Sequence, residues 1–509
     1  MSSAHPEGTP RRAHTARRRL LAGGTTVVAV LGLGLTPASA HADTTQLPSL
    51  VTADNIRGHM ENLQTIADYN GGNRAHGTPG YDVAANYVVD QLKRAGYEPQ
   101  THTYEFDRWL ENSDPALAQA APEQREFAHE DDFRTMTYSG AGEVTAPGGP
   151  VNPDSGASGC SADDFSGFSE GAVAIMRRGT CSFEEKATHA VEAGASAAIV
   201  FNQGGDTEEE TEAFQGTVSN PVDIPVLSAS TAVGEDLVDA GEELELQLSV
   251  DSEIATESSY NILADSGSGK EDNTVVVGAH LDSVPEGAGI NDNGSGTAAV
   301  LEAAKQFAKL DDPNNQVRFA FWGTEEEGLV GSTQYVEGLS EEERDDIALY
   351  LNFDMIGSPN YGRFVYDGRG ELEGSIPPPS GSAAIQQLFE EYFEDQGLVS
   401  EPTEFSGRSD YAAFMDAGIA SGGLFSGGDG TKSEEQVEYY GGTAGEPFDP
   451  NYHTPEDDID NINWSSVEEL SGGIAHAVET YAYSTLPVNG VLRGSGDAAF
   501  DRQADLWLR

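Results

Sequence analysis

The chain has 509 residues, with 86 Asp+Glu against 27 Lys+Arg and a formal net charge of −59. That length implies more than one domain, and a hydrophobic fraction of 38% is enough for real cores. Charge of this sign argues against nucleic acid or an anionic membrane as a partner; it suits a protein kept soluble in high salt, where a Debye length of roughly 3 Å at 1 M mutes self-repulsion.

Residues 1–42 differ from the rest: five arginines (Arg11, Arg12, Arg17, Arg18, Arg19) precede an apolar run from Leu20 to Leu35, and A-S-A and A-H-A follow at 38–42. A basic start, a short apolar stretch and small residues at a cleavage point make a secretory signal, which implies an extracellular protein. A-R-R-R-L-L (16–21) resembles a twin-arginine signal, and ordinary Sec export stays open beside it. No later stretch is long and apolar enough to span a membrane. Residues 43–128 then form the first part of a main domain. Within it, apolar residues at helical spacing (Tyr81, Ala84, Val88, Leu92, Ala95) with Gly96 as a C-cap predict a helix over 81–96, and T-H-T-Y-E-F predicts a strand. The Pro/Ala/Glu-rich stretch 113–126 has no periodicity and reads as a linker or insertion point.

Between 129 and 252 the texture changes. Short strands (A-V-A-I-M, A-A-I-V-F, I-P-V-L) surround a helix at 183–194, which makes a small strand–helix–strand module set into the main domain. The only cysteines, Cys160 and Cys181, fall here and are expected to form one disulfide in an exported chain. From 253 to 488 strands and helices alternate, which predicts an α/β sheet with helices on its faces. Residues 489–509 form a tail with little signal.

Candidate chemical residues sit at the ends of these strands, where open α/β sheets place ligands. V-V-V-G-A-H-L-D ends in His280 with Asp282 two residues on, and G-I-N-D-N-G presents Asp292 just before a helix. F-A-F-W-G-T-E-E-E ends in Glu325, Glu326 and Glu327, L-Y-L-N-F-D in Asp354, and D-P-N-Y-H-T-P holds His453. Two imidazoles and three carboxylates exceed what one catalytic zinc needs; they suit a pair of ions, each with one His and one carboxylate, sharing a bridging carboxylate. Imidazole and carboxylate without thiolate fit zinc or cobalt better than calcium. Asp282 would then orient the His280 ring. The same T-E-E-E string recurs at 207–210, where it reads as a solvated loop, and S-E-E-E at 340–343 reads as a helix start. G-F-S-E-G (167–171) fits a serine nucleophile elbow but has no preceding strand.

Taken together, H-L-D-S-V-P-E-G-A-G-I-N-D-N-G-S-G, W-G-T-E-E-E-G-L-V-G-S, L-N-F-D-M-I-G-S-P-N, G-R-S-D-Y-A-A-F, F-D-P-N-Y-H-T-P and N-G-G-N-R-A-H-G-T-P-G-Y (70–81) resemble the secreted bacterial dizinc aminopeptidases of leucyl type, known from Streptomyces and Aeromonas. The resemblance runs over about 50–125 and 256–485. It implies a mixed, mostly parallel sheet flanked by helices, of the zinc-exopeptidase (phosphorylase/hydrolase-like) type, acting as a monomer on peptides. It also implies roles. His280 and Asp354 share one zinc, Glu326 and His453 the other, and Asp292 bridges them, with a cis peptide between Asp292 and Asn293. Glu325 is the general base, Tyr452 hydrogen-bonds the oxyanion, Arg408 lies beside the substrate amine, and Phe425 walls an apolar pocket for the first side chain. Glu327, commonly apolar in the family, reads as a bystander on the surface.

The insert, G-A-V-A-I-M-R-R-G-T-C-S-F-E-E-K-A-T-H-A-V-E-A-G-A-S-A-A-I-V-F-N, resembles a small α/β or β-rich protease-associated domain that shapes substrate access. Some family members hold calcium; its acidic ligands have no residue-by-residue match in this chain, which leaves calcium open. A carboxypeptidase or dipeptidase on the same dizinc scaffold is the alternative, with Arg408 clamping a substrate carboxylate.

Overall fold

The computed structural model describes residues 45–491 apart from residue 206. The expected export signal at 1–42 lies outside the described residues, as does the tail beyond 491.

The centre of the larger half is a sheet whose middle strands are parallel. Lys270–His280 pairs in parallel with Asn315–Trp322 on one side and Ile347–Phe353 on the other, and Ile347–Phe353 pairs in parallel with Ser421–Phe425. Phe364–Tyr366 and Glu401–Thr403 complete one edge; beyond Asn315–Trp322 the antiparallel strand Glu245–Asp265 completes the other. Alternate residues point to opposite faces of such a sheet. Val275, Val277, Phe319, Phe321, Leu349 and Leu351 therefore join one buried cluster, together with helices Ala53–Tyr69, Pro79–Ala95, Gly296–Phe307 and Trp464–Tyr483. Val276, Ala320, Trp322 and Tyr350 face the other way, onto Tyr335 and Phe414. This is the mixed, mostly parallel, helix-flanked sheet that the resemblance implied.

The helix expected over 81–96 spans Pro79–Ala95. The Thr78 side chain accepts from the Tyr81 N–H, Pro79 sits in the first turn where its missing N–H costs nothing, and Gly96 ends the helix at φ 101°.

The stretch 113–126, read as a linker or insertion point, leads into the insert but is mostly strand rather than free linker. Strand Gln100–Ala121 pairs antiparallel with Glu245–Asp265 along nearly its whole length, so the two form a ribbon running from the main sheet to the insert. The register shifts between Ser113 and Ala116 put Pro115 at an irregularity, where no ladder N–H is required of it. Residues 111–114 are exposed, so the ribbon has no buried face there to impose alternation on the sequence.

Gly142–Pro150 pairs with the same ribbon strand and, at its far end, with Val173–Arg177, which opens the insert's own sheet. Ala197–Phe201 and Val226–Ala229 continue that sheet in parallel, and Phe133–Thr135 closes it antiparallel. Helix Phe183–Glu192 starts at a capping box in which Ser182 and Glu185 satisfy each other's backbone N–H groups. Cys160 and Cys181 are joined by the expected disulfide. Among the described residues, no helix is long and apolar enough to cross a membrane.

Candidate functional site

Three strand ends and two loops converge. His280 is the last residue of its strand and sits in register opposite Trp322; Asp354 directly follows Phe353. Glu325 and Glu326 occupy the turn after Trp322. Asp292 lies in a tight turn ahead of helix Gly296–Phe307, and its bond to Asn293 is cis, as the resemblance implied. Gly289 opens that turn at φ 58°, and a Cβ there would lie 2.3 Å from the Asp292 carbonyl oxygen, so only glycine fits. His453 comes from the loop after Phe448, at φ 57°.

The side chains meet around two imidazoles. His280 Nε2 lies 3.1 Å from Asp292 Oδ1 and 3.2 Å from Asp354 Oδ1. His453 Nε2 lies 3.2 Å from Asp292 Oδ2 and 3.1 Å from Glu326 Oε2. Each Asp292 oxygen thus faces a different imidazole, and each imidazole faces one further carboxylate. Glu325 Oε2 stands 3.9 Å from His280 Nε2 without joining either group as closely.

The electrostatics are those of a site made for cations. Burial, then the neighbouring Asp354 and Glu326 charges, push the Glu325 carboxyl well above its usual range against the pull of His280. Burial and Asp292 push Glu326 up to about 7. Burial works against ionising Asp292, but hydrogen bonds from His280 and His453 outweigh it and hold its carboxyl low. Burial opposes protonation of His453 as well, yet Asp292 and Glu326 raise it to about 10. Glu326 Oε1 is buried with no hydrogen-bond partner. Such crowded carboxylates and an orphaned oxygen are relieved by bound positive charge, and the donor set of imidazole nitrogens and carboxylate oxygens, all within 4.8 Å of one another in each group, suits zinc.

Asp282 does something broader than expected. Its Oδ1 is 3.7 Å from His280 Nδ1, too long for a hydrogen bond. Its two oxygens instead accept the backbone N–H groups of Glu325 and Glu326, each at 3.2 Å, so it fixes the glutamate turn beneath the imidazole.

Tyr452 stacks on His453 with ring centroids 3.9 Å apart, and burial raises its hydroxyl pKa, which keeps it a proton donor. Arg408 donates to the Tyr452 hydroxyl at 3.4 Å and lies 3.6 Å from Asp429. All three line a cavity of about 370 Å³ together with Asp292, Glu325, Glu326 and Asp354. Its far wall is aromatic: Phe425 with Phe364, Tyr366 and Phe448.

Several residues of the site had no role assigned from sequence. Ser409 donates to Asp354 Oδ2 at 2.6 Å, and beside it Asp410 is fully buried and pushed up to about 7 by that burial. Asp457 accepts from the backbone of Asn291 and Asp292 at 2.8 and 3.0 Å, fixing the turn that carries the shared carboxylate. Ser409 and Asp410 lie within G-R-S-D, so the signal was present. Arg74, from the N-R-A-H string, is fully buried and donates to the carbonyls of Leu281, Ala288 and Gly289, pinning the loop between His280 and Asp292. Arg74→Met strands those three carbonyls, and a loss of about 3 kcal/mol or more of unfolding free energy is expected. Urea titration of the full chain checks this; an unchanged midpoint contradicts it.

The other acidic strings separate as well. Residues 340–343 open helix Glu341–Asp345 with Ser340 as N-cap, as expected. Residues 208–211 form one helical turn rather than a loop. G-F-S-E-G follows a short 3-10 turn, not a strand. Glu327, expected to lie free on the surface, is partly buried and paired with Arg108.

A family model described as Peptidase family M28 matches residues 261–478, and one described as PA domain matches 142–237. The chain is 44% identical over 467 residues to an aminopeptidase of Pseudomonas aeruginosa, spanning 90% of this chain and 86% of that protein. The solved structure of an aminopeptidase from Aneurinibacillus sp. strain AM-1 matches with a TM-score of 0.67 at 24% identity, over 86% of this chain and 95% of the other. BSAP, a zinc aminopeptidase from Bacillus subtilis, matches with a TM-score of 0.61 at 25% identity, over 87% and 98% respectively.

Proposed function

The chain belongs to peptidase family M28, and from that premise we propose that it is a secreted zinc aminopeptidase that removes N-terminal, preferably large apolar, residues from peptides at a pair of zinc ions. The observation that carries this reading is the Asp292 carboxylate, whose two oxygens face His280 at 3.1 Å and His453 at 3.2 Å. Asp354 completes the His280 side and Glu326 the His453 side. Zinc bound there would polarise the scissile carbonyl and acidify the attacking water.

Glu325 takes the proton of that water on its carboxylate and returns it to the departing amine. It touches the metal-facing cluster only at 3.9 Å, which leaves its oxygens free for proton transfer. Tyr452 donates its hydroxyl proton in a hydrogen bond to the oxygen that becomes negative as the carbonyl is attacked. Asp354 receives the substrate's ammonium group beside Arg408. The aromatic wall of Phe425, Phe364, Tyr366 and Phe448 accepts an apolar first side chain. We set the edges of the protease-associated insert at 129 and 252, between peptidase parts 43–128 and 253–488, and take the chain to act as a monomer.

A panel of amino-acid nitroanilides, with and without chelator, tests the activity. Leucine, phenylalanine and methionine derivatives should lead, and chelator should stop all of them. The alternative, a carboxypeptidase or dipeptidase, draws on the exposed Arg408 guanidinium; cleavage of N-acetylated but not C-amidated peptides would establish it instead. The charge of −59 further supports adaptation to high salt. Activity and thermal midpoint should then both rise with NaCl over the range to about 1 M, and a low-salt optimum contradicts that adaptation.

A further inference from the structure

Glu327, the third glutamate of the turn, meets Arg108 through Nη2 at 2.5 Å and through Nε at 3.0 Å, a two-pronged contact that fixes the plane of the carboxylate. Arg108 lies on Gln100–Ala121, opposite Ala255, in the ribbon that leads out to the insert. Its Nη1 is 3.8 Å from Glu257 Oε2, and the same oxygen is 2.8 Å from His76 Nε2. His76 Nδ1 in turn lies 3.4 Å from the Thr324 hydroxyl, which also donates to Ser259 at 2.8 Å and meets the Tyr104 hydroxyl at 3.0 Å. The ribbon therefore grips the turn at both ends, through Thr324 before Glu325 and through Glu327 after Glu326.

That grip is needed because the turn is not a relaxed one. Thr324 stands at φ 62°, Gly328 at φ 102° and Leu329 at φ 61°. A β-branched residue rarely adopts the left-handed region, and such a backbone persists only where its surroundings over-determine it. The Arg108 and Glu327 side chains are 30% and 26% exposed, so the contact is partly screened, and its consequence is geometric more than energetic.

We propose that the Arg108–Glu327 fork is a positioning device for Glu325: the ribbon that carries the insert sets the orientation of the general base through the residue two places after it. This rests on Glu325 being the base. Small displacements of a proton-transfer group lower turnover without changing substrate affinity.

The test uses the full-length, zinc-loaded enzyme with leucine nitroanilide. Arg108→Gln, Glu327→Gln and the double variant are compared for kcat, KM and zinc content. Each single change should lower kcat roughly tenfold with KM and zinc content unchanged, and the double variant should be no slower than either, because both remove one contact. Arg108→Lys, which keeps the charge but cannot form the fork, should be slowed alike. Wild-type kcat in the Gln or Lys variants, multiplicative effects in the double variant, or a change confined to KM or zinc content overturns the proposal. Glu325→Gln is run alongside: if it remains active, the general-base reading itself fails, whereas an inactive Glu325→Gln beside fully active fork variants removes the fork alone.

Discussion

Glu325→Gln is expected to lower kcat by about 10²–10⁴-fold, the usual worth of a positioned general acid–base group, while zinc content stays at its wild-type value. The change is nearly isosteric and leaves the Glu325 backbone N–H, which Asp282 accepts at 3.2 Å, in place. It removes the carboxylate's charge and with it the capacity to take up a proton. The environment explains why this glutamate, and not its neighbour, suits proton transfer. Burial and the charges of Asp354 and Glu326 raise its proton affinity, whereas Glu326 is committed to His453 through Oε2 at 3.1 Å. KM should change little, because the aromatic wall around Phe425 is untouched. Steady-state kinetics together with metal analysis of the same preparation decide the matter; full activity, or loss of zinc in parallel with activity, contradicts the assignment.

Asp292→Ala should have the broadest effect on metal. The other candidate ligands each serve one side of the cluster, whereas Asp292 serves both. Loss of a residue that merely orients a ligand already costs about 10–100-fold in affinity, so loss of the shared ligand should exceed roughly 100-fold at both positions. Thermal denaturation reads this directly: saturating a site at about 100 times its Kd stabilises the wild type by about 2.7 kcal/mol, and that gain should vanish in Asp292→Ala. Glu326→Ala should forfeit only the share belonging to the His453 side. A variant lacking Asp292 that still gains full stability from zinc would show that its carboxylate is not shared.

Much of the site was legible because it is built from strand ends. Strands buried on both faces read as apolar runs, and a polar residue that terminates such a run stands out: His280 after V-V-V-G-A, Asp354 after L-Y-L-N-F. Those same runs pointed to the α/β class. What could not be read lies where local sequence carries no constraint. Residues 113–126 belong to an exposed ribbon, so neither face imposes alternation, and Pro115 at a register shift looks like a break. Glu327 finds its partner 219 residues away on that ribbon, a relation that no window of sequence contains. Arg74 and Asp457 act by satisfying backbone groups of distant loops, and a buried charge of that kind resembles any surface charge until the chain folds around it. Asp282 was read as a partner of the imidazole because it lies two residues away; the fold keeps it 3.7 Å from His280 Nδ1 and adds bonds to the Glu325 and Glu326 N–H groups, which no local spacing signals.

The shared-carboxylate, two-metal reading is tested most directly by the zinc content of the purified full-length enzyme. Zinc is counted by atomic emission, and leucine nitroanilide hydrolysis is followed on the same sample during chelation and re-addition. Two zinc ions per chain are expected, with activity lost as they are removed and restored as they return. One zinc or none per chain at full activity would contradict that reading.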